Sequence, residues 1–219
     1  LPIFAEAAER FSTPFHLYDE AGIRETARAV REAFAWNPDF REYFAVKALP
    51  NPIILDILKQ EGLGLDCSSL TELLIAERVG FSGDEIMFSA NAMPPEEFDL
   101  ARKLGAFINL DDVSDIDTLA AHGGIPETVC VRVNTGGTFS FGGNQIMGKG
   151  LNRLKSLGVK RFGLHAFLAS NMTDPGYYPA LAHILFEMIR DEADATGLEA
   201  AFVNLSGGIG IPYTRDVPP

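Results

Sequence analysis

Short apolar runs alternate with amphipathic stretches along almost the whole chain, recurring every roughly 20 to 25 residues. The runs fall at 42–47, 63–67, 85–90, 106–111, 128–134, 161–167 and 201–206. Several are nearly continuous hydrophobics, the composition of parallel strands buried on both faces. The stretches between them carry the punctuation of helices. Asn51 and Pro52 open one that Gly62 closes, and Ser69 opens one that Gly80 closes. Pro94 and Pro95, with Glu96 and Glu97 in the first turn, open a third that Gly105 closes, and Ser114 opens a fourth that ends at Gly123. A polar cap or Pro at the start satisfies or removes orphan N–H groups, and Gly at the end accepts the left-handed turn. A longer helix is predicted over 177–196, where Leu181, Ile184, Leu185, Met188 and Ile189 recur at helical spacing. Another is predicted over 21–34, before the first strand.

Repeated strand–helix units define an α/β chain. A (β/α)8 TIM-type barrel and an open doubly wound sheet both fit the pattern. No Gly-rich phosphate loop follows the first run, where a dinucleotide fold carries it, and this favours the barrel. The chain of 219 residues is read as one barrel domain, 1–219. Only seven runs are present, so the barrel is incomplete and leaves two parallel edges open. The link from the fifth run to the sixth is also short. Residues 136–150 are rich in Gly, Phe and Asn, leaving only 151–157 for a helix of about two turns. That predicts a degenerate unit or residues missing near Lys149 to Leu151.

Thirty acidic side chains against 18 Lys plus Arg give a net charge of −12, which opposes nucleic acid as the main partner. No run is long enough to span a bilayer, and no basic-then-apolar secretory start is present. The first residue is Leu1, so the natural start is expected to lie outside the sequence. Cys67 and Cys130 form neither a CxxC pair nor a zinc spacing, and are expected to be buried and reduced in a cytoplasmic protein, with one disulfide as the alternative. The four histidines show no HxH or HExxH grouping, so no metal is predicted.

The residues that could carry chemistry lie at the ends of the runs. Lys47 ends the first, which in a barrel directs its amine to the C-terminal mouth, where barrel active sites lie. Desolvated there, a lysine becomes a nucleophile toward carbonyls; the plainer account is a lysine reaching out to solvent. After the seventh run come Ser206, Gly207, Gly208, Ile209 and Gly210. Glycines at this point let backbone N–H groups approach a phosphate, or merely make a tight strand exit. Asp66 ends the second run, as a site carboxylate or a loop cap. Arg132 sits in the apolar fifth run, where it must face a polar mouth or a salt-bridge partner. His165 and Ser170 lie at and beyond the end of the sixth, where a lone His is more often a satisfied core residue.

Four segments, in this order, carry a resemblance. They are Tyr43-Phe44-Ala45-Val46-Lys47, Leu65 to Glu72, Val131-Arg132-Val133-Asn134 and Ser206-Gly207-Gly208-Ile209-Gly210. The chain resembles the barrel domain of the fold-type III pyridoxal-phosphate enzymes, the alanine racemase and ornithine decarboxylase superfamily, and within it the diaminopimelate decarboxylases. The resemblance implies that Lys47 carries pyridoxal 5'-phosphate as a Schiff base. It places Asp66, Arg132, His165, Phe167, Ser170, Ser206, Gly207, Gly208 and Gly210 around the cofactor. The implied reaction is decarboxylation of an amino acid, foremost meso-diaminopimelate to lysine, by a carbon–carbon lyase that is a homodimer when complete. Non-catalytic cofactor binding, regulation, or action on another diamino acid are the alternatives, as is an unrelated phosphate-binding barrel whose Lys47 attacks a sugar carbonyl. The departures are specific. Phe167 stands where the family has a second, ring-stacking histidine, Ala169 where it has a glycine, and Ser206 where its phosphate loop begins with glycine. The last barrel strand, with its glutamate, and the C-terminal β-domain have no counterpart in the sequence.

Overall fold

The computed structural model describes residues 2–133, 144–167 and 170–211. Asn134, 136–143, Leu168, Ala169 and 212–213, all part of the sequence expectations, lie outside them. Seven strands form one sheet: β1 (Tyr43–Ala45), β2 (Gly64–Cys67), β3 (Ile86–Ser89), β4 (Phe107–Leu110), β5 (Thr128–Arg132), β6 (Arg161–His165) and β7 (Glu199–Asn204). Their spatial order is their sequence order, and each neighbouring pair is parallel. β1 to β6 are each shorter than their apolar runs by a residue or more, while β7 keeps the length of its run and starts two residues earlier.

The sheet curls as a barrel does. Phe107 on β4 and Phe202 on β7 have ring centroids 5.2 Å apart. In a flat sheet, strands three places apart stand about 14 Å from one another. Gly163 on β6 leaves the room that the Phe202 ring fills, since a Cβ there would lie 2.6 Å from it. Side chains therefore sort by alternation along each strand. Leu65, Cys67, Ile86, Phe88, Ile108, Leu110, Val129, Val131, Phe162 and Leu164 face outward into the main apolar core beneath the helices. Asp66, Met87, Asn109, Cys130, Arg132 and His165 occupy the intervening, inward positions. Both cysteines are free and buried, one on each face of the sheet.

Among the described residues eight helices accompany the strands: α1 (Pro2–Arg10), α2 (Glu20–Ala33), α3 (Pro52–Gln60), α4 (Leu70–Val79), α5 (Pro95–Leu104), α6 (Asp115–Ala121), α7 (Asn144–Ser156) and α8 (Tyr177–Thr196). Asn51 caps α3 by accepting from the Ile53 N–H, and Ser69 caps α4 by accepting from Glu72 N–H. α4 gains a second acceptor from its neighbour, because the buried Glu97 of α5 accepts from the Leu70 N–H at 2.8 Å. Arg24 and Arg28 of α2 both bind Glu61, just past the end of α3, and tie α2 to the ring of helices. Among the described residues no helix is long and apolar enough to cross a membrane.

Three expectations are corrected. α7 is 13 residues long and runs unbroken through 148–151, where a gap or a two-turn remnant is expected from the sequence. Gly148 and Gly150 lower helix propensity by about 1 kcal/mol each, which disguises the helix. Buried Met147, Leu151 and Leu154 override that cost by forming an apolar stripe at i, i+4 and i+7. Ser114 does not cap α6 with its side chain; it donates through both N–H and Oγ to Asp112 Oδ1, at 2.8 and 2.7 Å. The third correction concerns Lys47. β1 ends at Ala45, and Lys47 sits in a single 3-10 turn, Val46–Ala48, closed by the Leu49 N–H on the Val46 carbonyl. Buried Val46 pins this turn under the helices, and Lys47 is exposed rather than desolvated.

Candidate active site at the mouth of the half-barrel

The C-terminal ends of seven parallel strands gather their last inward side chains on one side of the sheet. The register aligns Ala45 with Asp66, Ser89 with Asn109, Arg132 with His165, and His165 with Asn204. Lys47, Asp66, Ser89, Arg132, His165 and Asn204 thus stand along one curved rim.

Asp66 is the most perturbed of these groups. Burial pushes its carboxyl up to about 7, while the Ser89 hydroxyl and the Lys47 ammonium pull the other way. Its Oδ1 is buried and has no hydrogen-bond partner among the described residues. An acceptor buried in this way costs free energy unless a group from outside the protein meets it.

Arg132 is held by the loops that follow two neighbouring strands, β3 and β4. Its Nη1 donates to Asp111 Oδ1 at 2.9 Å and to Asn91 Oδ1 at 2.8 Å. Its guanidinium lies 5.8 Å from the centroid of the Phe167 ring, a cation–π contact. Phe167 is 41% exposed, so an aromatic face remains open at the mouth. His165 is 5% exposed, and its Nδ1 meets the Asn109 Nδ2 amide. Burial, with Arg132 nearby, lowers its pKa to about 4, so the ring is a neutral acceptor at Nδ1.

The turn after β7 is built from three different demands. Ser206 adopts a left-handed φ of 61° and Gly208 one of 88°. A Cβ on Gly210 would lie 2.6 Å from Thr173 Cγ2 and 2.8 Å from the Met172 carbonyl oxygen, so that glycine permits close approach of 172–173. A Cβ on Gly207 would meet nothing within 4 Å, so this glycine faces open space. Ser206 N–H donates to Asn204 Oδ1, whereas among the described residues nothing accepts from the N–H of Gly207, Gly208 or Ile209. Ser170 is exposed beside this turn and makes no described hydrogen bond.

Sequence reasoning missed Asn91, Asn109, Asp111 and Asn204. The signal was alternation: 107, 109 and 111 are inward positions, and two of them are polar within an apolar run. Among the described residues no group of three His, Cys, Asp or Glu is placed to hold a metal ion.

A family model described as pyridoxal-dependent decarboxylase, pyridoxal binding domain, matches residues 20–219. Protein TabA of Pseudomonas amygdali pv. tabaci is 36% identical over 98% of this chain and 53% of its own. A diaminopimelate decarboxylase of Methanothermobacter thermautotrophicus is 31% identical over 98% of this chain and 54% of its own. The solved diaminopimelate decarboxylase of M. jannaschii, in co-complex with L-lysine, superposes with a TM-score of 0.88 at 26% identity, over 97% of this chain and 55% of that one. The chain thus spans about half the length of the relatives it matches.

Proposed function

The chain belongs to the pyridoxal-dependent decarboxylase family, through its pyridoxal-binding domain, and on that premise we propose that it is the cofactor-holding barrel of an amino-acid decarboxylase. The observation that carries the reading is a convergence at one mouth. An exposed amine (Lys47), a buried carboxylate oxygen without a partner (Asp66) and three uncommitted backbone N–H groups share the C-terminal rim.

These groups fit pyridoxal 5'-phosphate. Lys47 would tether it through its amine, and the open face over Gly207 would admit the phosphate to the N–H groups of Gly207, Gly208 and Ile209. The exposed Phe167 ring would stack on it, with Arg132 behind. His165, Asp66, Ser170, Ser206 and Gly210 complete the surroundings. When bound, the cofactor supplies the electron sink for loss of carbon dioxide. The chain's own residues orient that loss. Asp111 and Asn91 fix Arg132, Asn109 fixes the His165 ring, and Asp66 offers a carboxyl able to hold or release a proton near neutrality.

The substrate assigned is meso-diaminopimelate, giving lysine in lysine biosynthesis, by a cytoplasmic homodimer; the diaminopimelate decarboxylases among the relatives support that choice of substrate. Phe167 favours a second reading, in which a relative takes another diamino acid or binds cofactor without turning it over. An aromatic at that position stacks but neither titrates nor hydrogen-bonds.

Borohydride reduction in the presence of pyridoxal 5'-phosphate, followed by peptide mapping, should place the pyridoxyl label on Lys47. A label elsewhere would sink the assignment. Carbon dioxide release from meso-diaminopimelate by the labelled-competent protein tests the substrate, and its absence with cofactor bound would favour the second reading.

A further inference from the structure

The turn after β7 is held from outside by two contacts that together decide where its N–H groups point. The Tyr178 hydroxyl, in the first turn of α8, donates to the Gly207 carbonyl at 3.2 Å. The Met172 N–H, from the segment after β6, donates to the Gly208 carbonyl at 2.7 Å, and the Gly210 N–H returns to the Met172 carbonyl at 2.7 Å. In a planar trans peptide the C=O and the N–H of the following residue point in opposite directions. Fixing the Gly207 carbonyl on Tyr178 therefore turns the Gly208 N–H away from α8. Fixing the Gly208 carbonyl on Met172 likewise turns the Ile209 N–H away from the 170–173 segment. These are two of the three N–H groups without an acceptor among the described residues. The open space at Gly207 lies on the same turn.

We infer that Tyr178 is a positioning residue of the anion cradle, acting through the Gly207 carbonyl to aim the Gly208 N–H at a phosphate. This rests on the proposed reading of the turn as a phosphate site. Partial burial and the neighbouring Tyr177 raise the pKa of the phenol, so it remains a donor across the neutral range. Met172 cannot substitute for it, because its N–H is already committed one peptide further along. Acting through the Gly207 carbonyl, Tyr178 should affect only the binding of the phosphate.

Tyr178→Phe removes the donor and keeps the ring. Wild type and variant would be titrated, as the full chain, with pyridoxal 5'-phosphate and with pyridoxal, which has the same ring and aldehyde but no phosphate. The variant should bind pyridoxal 5'-phosphate about fivefold more weakly, the loss of one ordinary hydrogen bond, and bind pyridoxal unchanged. Equal weakening toward both ligands would mean a structural role and overturn the inference, as would no weakening toward either. A wild type that does not prefer the phosphorylated ligand would overturn the cradle and Tyr178's part in it together, whereas label on Lys47 reports the cofactor reading independently.

Discussion

Asp66 couples the site to the stability of the fold through one proton. Its ordinary pKa is 3.8 and burial raises it to about 7. The folded chain therefore holds this proton more tightly than the unfolded chain does. The stability this contributes is fully present below about pH 4 and is lost as pH rises through about 7. A shift of this size corresponds to about 4 kcal/mol. Denaturant unfolding without added cofactor should show wild type weakening between pH 4 and 7 relative to Asp66→Asn, which has no proton to lose. Parallel pH profiles for the two would show that Asp66 does not titrate in this range. His165, on β6 of the same rim, behaves in the opposite sense, since burial holds it neutral and the Asn109 amide occupies its Nδ1. The sequence alone marks Asp66 and His165 by position but could not pair His165, because its partner Asn109 lies on another strand. Ser206 is a related case. As a non-glycine residue at φ 61° it shows, in backbone terms, why glycine is the usual occupant of that turn.

The elements were legible wherever hydrophobic period and end signals agreed. All seven apolar runs became strands, and Asn51, Ser69, Gly80, Gly105 and Gly197 mark helix ends in the structure as in the sequence. In α7 the two signals disagree. Two glycines mask a helix whose identity is set by tertiary packing, with Leu151 and Leu154 fully buried and Gly148 close to the Glu192 carboxylate of α8. Lys47 lies at the rim that its sequence position predicts, but in a 3-10 turn rather than at the end of β1. The residues that turn the chain toward α3 are the 3-10 turn itself, and nothing in Ala45-Val46-Lys47-Ala48 announces it. If α7 is a packed helix through Gly150, Leu151→Ala should cost about 2–5 kcal/mol by removing a core side chain. A loss below about 1 kcal/mol in chemical unfolding would instead fit an exposed, irregular link.

At the scale of the whole molecule, the decisive feature is a curled sheet whose first and last strands do not pair among the described residues. β2 to β6 each have neighbours on both sides, while β1 and β7 have one each. The outer backbone groups of β1 and β7 therefore lack ladder partners, and β7 is also less covered, with Glu199, Ala200 and Ala201 exposed. Barrel strands gain their resistance to opening from two-sided hydrogen bonding and from a buried outward face. The central strands have both: Ile86, Phe88, Ile108, Leu110, Val129 and Val131 are fully buried. Native-state hydrogen exchange of the chain should accordingly be graded across the sheet. Amides of β3, β4 and β5 should exchange only through near-global unfolding, and those of β1 and β7 through local opening at much lower free energy. The grading also bears on the site, because Lys47 follows β1 and the glycine turn follows β7, so both ligand-facing ends sit on the least protected strands. On the proposed reading, adding pyridoxal 5'-phosphate should then slow exchange most at β1 and β7, since a ligand tethered at Lys47 and held at Gly208 would bridge the two edges. Protection of β1 and β7 equal to that of β4 before any ligand is added would show that the edges are covered, and the half-barrel would have to be reconsidered as part of a closed assembly.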